Sequence, residues 1–238
     1  MTVFFKALLK SLFPQRCAYC GKVVSADEYA CGDCLKILPR IEGEICSRCG
    51  RAKKECSCNG EKYFLSQAAP FCYEGVVRRG LHVFKFRNGR QNSEAYCYEM
   101  AETVRQRYGD KKFDYIVPVP MTKKSVRRRG YNQVEILAEG LAELLGAEFR
   151  KDILFKIYET EKQHGISYIL RKGNLTGVFD VPEPEKVRGK SVLLCDDIST
   201  SGETFNECAK MLWLADASEI CCISLALTNP RKKNKSKK

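Results

Sequence analysis

Two aspartates, Asp196 and Asp197, stand side by side directly after the apolar run 192–195, and Thr200, Ser201, Gly202, Glu203 and Thr204 follow them. Paired carboxylates can accept from the two hydroxyls of a vicinal diol, or hold Mg²⁺ directly or through water. The loop 200–204 has little bulk and opens a helix-like pattern, so its free backbone N–H groups and the helix dipole suit a phosphate. Together these groups fit a sugar phosphate. In a parallel sheet the ligand crevice lies beyond the carboxyl ends of the strands, which is where this stretch would sit. Neighbouring side chains on a strand point to opposite faces, so both carboxylates reach one ligand only if the strand has ended and the chain turns there. The plainer reading is a capped turn, because Asp, Ser, Thr and Gly are ordinary turn and N-cap residues. Two other phosphate motifs fail. Gly189, Lys190 and Ser191 resemble the end of a P-loop, but Pro184 occupies its first glycine position and a strand follows rather than precedes it. No G-x-G-x-x-G occurs.

Cysteine is the second source of chemistry. Of 14 cysteines, eight fall between Cys17 and Cys58. Cys17-x2-Cys20 with Cys31-x2-Cys34 is a strong zinc spacing, since each knuckle turns two thiolates to one side and two knuckles complete a tetrahedron. Cys46-x2-Cys49 repeats the knuckle, and Cys56-x-Cys58 is its expected partner with a tighter spacer. Interleaved pairing of the four pairs is also open. Gly21 and Gly32 are expected to supply knuckle turns with positive φ. All-cysteine sites with no open position are structural, and with only His82 and His164 in the chain a histidine-bearing catalytic zinc has little to draw on. A redox role for Cys-x2-Cys lacks its strand–helix setting. The other six cysteines (Cys72, Cys97, Cys195, Cys208, Cys221, Cys222) sit among apolar residues and read as small buried groups.

These groups need elements to position them. Helical patterns cover 75–87, 91–108, 132–145 and 202–214, with Asn132 a cap and Gly146 a stop. Strand patterns cover 114–119, 153–157, 178–181, 192–195 and 220–227. Strands alternating with helices point to a parallel sheet with crossover helices. The texture changes near residue 60, giving four expected segments: 1–14 an amphipathic helix, 15–60 a cysteine module, 61–230 the α/β domain, and 231–238 a basic tail. The first helix docks on its own protein, a partner or a membrane surface. No run reaches transmembrane length, and no cleavage site marks a signal peptide. The formal charge is +12. Eight thiolates around two Zn²⁺ remove a net four of these charges. What remains is concentrated at Lys123, Lys124, Arg127, Arg128 and Arg129 and in the tail, a distribution that suits a polyanion.

The stretch 192–204 resembles the phosphoribosyl-diphosphate (PRPP) motif of type I phosphoribosyltransferases. The double knuckles resemble the double zinc ribbon of ComF-type competence proteins. The block 117–133, ending in Arg129, Gly130, Tyr131, Asn132 and Gln133, resembles that family's VPVP…RGFNQ block. Gln163, Arg171, Asn174 and Phe179 resemble a second block, and the segment around Lys85 a third; the resemblance covers most of residues 15–228, in order. It implies a type I phosphoribosyltransferase-like parallel sheet behind the ribbons. It also implies Asp196 and Asp197 on ribose hydroxyls or Mg²⁺, residues 200–204 on the 5′-phosphate, and Pro120, Met121 and Thr122 near the pyrophosphate. Lys85 and the cations between 123 and 129 would serve pyrophosphate or a nucleic-acid backbone. Implied partners are PRPP with Mg²⁺ or a related ribose phosphate, single-stranded DNA, the uptake helicase and other competence proteins, in a cytoplasmic protein that acts in natural transformation, with association at the inner face of the membrane. The alternative is an active phosphoribosyltransferase on an unidentified acceptor. Departures are Glu203 inside the anion loop, Thr200 where nucleobase-using relatives carry an aspartate, Lys156 in place of an arginine, and Cys56-x-Cys58.

Overall fold

The computed structural model describes residues 14–229 apart from 57, 59, 88 and 158–177. The expected amino-terminal helix (all but Pro14), the basic tail, and Gln163, Arg171 and Asn174 lie outside the described residues.

The knuckles at Cys17-x2-Cys20 and Cys46-x2-Cys49 close in the same way. Gly21 N donates to Cys17 O at 2.9 Å and Gly50 N to Cys46 O at 3.1 Å, while the Cys17 and Cys46 amides donate to Lys22 O and Arg51 O, each at 2.8 Å. Gly21 and Gly50 have φ of 79° and 69°, a region that side chains disfavour. Gly32 does not share this role. It opens helix α1 (Gly32–Lys36) immediately after Cys31, and one helical turn brings Cys31 and Cys34 to the same side.

The main sheet is parallel throughout. β1 (Ser66–Ala68) and β2 (Phe71–Cys72) pair in line along β8 (Glu219–Leu227), followed by β7 (Ser191–Ser199), β3 (Tyr115–Pro118) and β4 (Glu148–Phe149). Pro70, which has no N–H to give a ladder, lies between β1 and β2. Helices α2 (Gly75–Phe86), α3 (Ser93–Tyr108) and α5 (Gln133–Leu145) cover one face, where Leu193, Cys195 and Ile223 pack with Leu81, Phe84, Met100 and Leu137. Helix α6 (Glu203–Leu214) covers the other, where Val192, Leu194 and Cys222 meet Phe205 and Leu212. The sides alternate residue by residue, as the strand period requires. Two short strands, β5 (Phe155–Lys156) and β6 (Phe179–Asp180), form a separate antiparallel pair.

Two elements differ from expectation near the site. β7 does not stop at Cys195. It continues to Ser199 because β8 keeps pairing with it, through Asp196↔Ser224, Ile198↔Ala226 and Ser199↔Leu227. The basic run is itself a helix, α4 (Lys123–Arg129), capped by the Thr122 hydroxyl on Ser125 N and stopped by Gly130 at φ 78°. Seven residues are too few to show an apolar period. Five of the six scattered cysteines are buried as expected and Cys72 is half-buried. Burial pushes the Cys97 thiol up to about 12 and the Cys221 thiol up to about 11. Such thiols stay protonated and unreactive.

Candidate functional site

The cysteines form two tetrads, Cys17–Cys20–Cys31–Cys34 and Cys46–Cys49–Cys56–Cys58, with all sulfurs of each within 4.8 Å of one another. This settles the pairing in favour of sequential ribbons. Tetrahedral zinc with Zn–S bonds of about 2.3 Å sets its sulfurs about 3.8 Å apart. The separations of 3.7 Å for Cys20–Cys31 and 3.9 Å for Cys46–Cys58 and Cys49–Cys56 fit that metal. The donor set is four thiolates with no histidine or water position, so each centre is structural. The tight Cys56-x-Cys58 spacer is accommodated, with Cys58 N donating to Cys56 Sγ at 3.5 Å.

Both ribbons are fastened to the α/β core. Ala18 O, inside the first knuckle, accepts from Tyr96 OH at 2.8 Å and from Asn92 Nδ2 at 3.1 Å. Helix α2 approaches that knuckle so closely that a Cβ on Gly80 would stand 2.5 Å from Ala18 O. The second knuckle presses on β1: Gln67 N donates to Arg48 O at 2.9 Å, and a Cβ on Gly50 would stand 2.5 Å from Gln67 O. Arg51 then runs inward from the second knuckle. Its guanidinium donates to Thr200 O, and its Nε donates to Thr228 O at 3.2 Å. The sequence showed Arg51 only as one base among many. Its place directly after Cys46-x2-Cys49-Gly50 was the available signal.

The extended β7 separates the two aspartates. Asp197 is 5% exposed. Its Oδ1 accepts from Lys85 Nζ at 2.8 Å and its Oδ2 from Gln133 Nε2 at 2.7 Å. Lys85 comes from α2 and Gln133 from the first turn of α5, where Asn132 caps the helix by accepting from Val134 N at 3.1 Å. Two motif residues distant in sequence thus converge on one carboxylate. Asp196 is half-buried, and its Oδ1 accepts from Asp197 N at 2.7 Å. Burial, with the neighbouring Asp197 charge second, pushes its carboxyl up to about 8. Cleft residues Lys85, Asp197, Thr200 and Thr228 line a volume of about 610 Å³ at the carboxyl ends of β7 and β8, together with Glu74 and Arg78, which sequence reasoning missed.

The loop after β7 turns at Gly202, with φ 82°, into the first turn of α6. Thr200, Ser201, Glu203 and Thr204 are all exposed. Glu203 occupies the first turn, where a negative side chain is favourable to the helix dipole. Beneath the loop lies Gln67, 1% exposed, with its Oε1 3.3 Å from where a Gly202 Cβ would be and its Nε2 without a partner among the described residues.

The remaining cations divide. Pro120, Met121, Lys123 and Arg127 line a second cleft of about 410 Å³ with Lys156, beyond β3. Arg129 does not line that cleft; its guanidinium donates to Met121 Sδ at 3.7 Å and lies over the Phe86 ring at 5.3 Å. Lys124, Arg127 and Arg128 are exposed and have no acidic partner among the described residues. Of the aromatics near these cations, Phe84 and Tyr131 are buried, and Phe86 is 50% exposed, next to the His82 ring at 5.1 Å.

Residues 90–238 match the family model described as phosphoribosyl transferase domain, and residues 8–74 that described as double zinc ribbon domain. The chain belongs to the phosphoribosyl transferase domain family. With the double ribbon ahead of that domain it has the ComF-type architecture that its motifs resemble. Competence protein ComFC of Bacillus subtilis (strain 168) is 25% identical, over 80% of each chain. DNA utilization protein YhgH of Escherichia coli (strain K12) is 26% identical over 89% of this chain and 90% of that one. Competence protein F of Haemophilus influenzae is 25% identical over 92% of this chain and 99% of that one. No described helix is long and apolar enough to cross a membrane.

Proposed function

We propose that this ComF-type protein handles single-stranded DNA in the cytoplasm during competence or DNA utilization, and holds PRPP with Mg²⁺, or a related ribose phosphate, in the cleft beyond β7. The observation that carries the pocket reading is the convergence of Lys85, Gln133 and Asp197 immediately ahead of the Gly202 helix start. It brings one carboxylate for hydroxyls or Mg²⁺, with a largely buried cation beside it, next to a helix start whose amides suit phosphate. The DNA reading is supported by the names of the relatives and by the exposed face of α4, with Phe86 as an aromatic surface for an unpaired base.

Titration of PRPP–Mg²⁺ and of a single-stranded oligonucleotide, each followed calorimetrically, tests the proposal. Asp196→Asn with Asp197→Asn is expected to abolish ribose-phosphate binding; absence of that binding in the parent protein sinks the pocket reading. For DNA, each phosphate contact to a single strand adds about 0.7 to the slope of log affinity against log salt. Replacing Lys124, Arg127 and Arg128 by Ala is expected to reduce that slope by about 2. An unchanged slope would remove α4 from the DNA path.

A second reading, phosphoribosyl transfer to an acceptor, is favoured by Lys123 and Arg127 beside Pro120 and Met121, where they would neutralise departing pyrophosphate. Its test is pyrophosphate release dependent on both PRPP and a defined acceptor.

A further inference from the structure

We propose that Arg51 is a positioning residue that joins the second cysteine tetrad to the anion loop, so that metal occupancy at Cys46, Cys49, Cys56 and Cys58 and ribose-phosphate binding at 200–204 are linked. The linkage rests on the ribose-phosphate reading; the positioning role does not. Thr200 and Thr228 are the residues next beyond the ends of β7 and β8, and Thr228 N donates to Ser199 O at 3.0 Å. One guanidinium therefore ties together the ends of two adjacent parallel strands at the place where the crevice opens. Arg51 is 5% exposed and has no carboxylate partner among the described residues. Its charge is permanent, so a nearly buried cation faces the loop with only carbonyl dipoles to compensate it. Such a charge favours an anion at the loop, and the two hydrogen bonds fix the backbone that would hold it.

The knuckle determines where Arg51 sits. Cys46 N binds Arg51 O at 2.8 Å, Ile45 bridges Ala52, and Gly50 is wedged against Gln67 O. Gln67, in β1, in turn lies under Gly202, so the same ribbon also backs the same loop indirectly through that strand. The first ribbon supplies an internal control. Lys22 fills the slot equivalent to Arg51, yet it is exposed and pairs with Asp33 at 3.0 Å. Two ribbons with the same knuckle geometry thus differ at this slot in what it touches. Because linkage is reciprocal, the ligand must protect the second metal as much as the metal supports the ligand.

The experiment uses the full-length zinc-loaded protein with Arg51→Ala, Arg51→Lys and Lys22→Ala. Hydrogen exchange over 199–204 is expected to accelerate about tenfold in Arg51→Ala and not in Lys22→Ala, with β3 unchanged in both. PRPP–Mg²⁺ affinity is expected to fall about tenfold in Arg51→Ala, within the range typical of coupled sites, and to recover when methylguanidinium is added. Saturating PRPP–Mg²⁺ should slow zinc release from the second tetrad to a chromogenic chelator in the parent, but not in Arg51→Ala. Arg51→Lys keeps the charge without the two-carbonyl fork, so it should fall between the parent and Arg51→Ala. It also decides the matter if the alanine variant does not fold. Loop exchange that ignores Arg51, or a lysine variant equal to the parent in every readout, overturns the positioning role. If loop exchange responds to Arg51 but the parent binds no ribose phosphate, the pocket reading and the metal–ligand linkage fail and the positioning role stands.

Discussion

Asp197 shows how much one carboxylate can organise. Its side chain and that of Lys85 are 7% and 14% exposed. Removing one partner of a buried ion pair leaves the other charge uncompensated, at a cost of about 3–5 kcal/mol. Lys85→Met is therefore expected to destabilise the protein by about that amount, and Lys85→Met with Asp197→Asn by much less. Denaturant unfolding of the four-member cycle measures this; additive losses would mean that the pair is not coupled. Asp196 behaves differently. Its folded-state pKa is raised from 3.8 to about 8 by burial and by Asp197. The folded molecule then keeps a proton that the unfolded chain gives up, so this group lowers stability as pH rises between about 4 and 8. Asp196→Asn removes that loss. Its thermal advantage over the parent should be absent below pH 4, grow to pH 8 and level off; a constant difference would contradict the shift. The sequence made both aspartates legible because adjacent acids after an apolar run are unusual. It could not show that Lys85 and Gln133 meet Asp197, since those contacts close over 112 and 64 residues.

The helices and long strands were readable where length let their period appear. The ranges 75–87, 91–108 and 132–145 lie close to α2, α3 and α5. β1, β2 and β4 are two or three residues long, too short for alternation to register, and α4 carries charges where a period would need apolar residues. Close approach between elements was equally invisible, because it depends on atoms that are missing. Gly80 is the clearest instance, in the middle of a helix with normal φ, where propensity alone would favour alanine. Its hydrogen side faces Ala18 O and Tyr96 OH, at 2.5 and 2.6 Å from an added Cβ. Gly80→Ala is thus expected to cost about 1–3 kcal/mol through overpacking and to speed zinc loss from the first tetrad. A more stable Gly80→Ala variant, judged by thermal unfolding, would show that helix and knuckle can separate freely.

At the scale of the molecule, composition indicated a cysteine module followed by an α/β domain, with a join expected near residue 60. Composition is blind to packing across such a join. Cys17, Ala18 and Tyr19 are 2–3% exposed and belong to the same apolar cluster as Leu81, Phe84, Tyr96 and the sheet residue Leu193. On the other side, Arg51 reaches the ends of β7 and β8. Metal binding at such centres is folding free energy for whatever their ligands support. Here the ligand-bearing knuckles support α2, α3 and the strand ends, so the expected consequence of stripping zinc is not confined to the ribbons. Calorimetry of the zinc-loaded protein should give one transition. A strong chelator should move that whole transition down by several degrees, since one kcal/mol corresponds to about 2–4 °C in a chain of this size. Addition of zinc after brief chelation should restore it. Two resolved transitions, with chelator acting only on the smaller, would mean that the ribbons unfold alone and that their contacts with Tyr96 and Thr200 contribute little to holding the domain together.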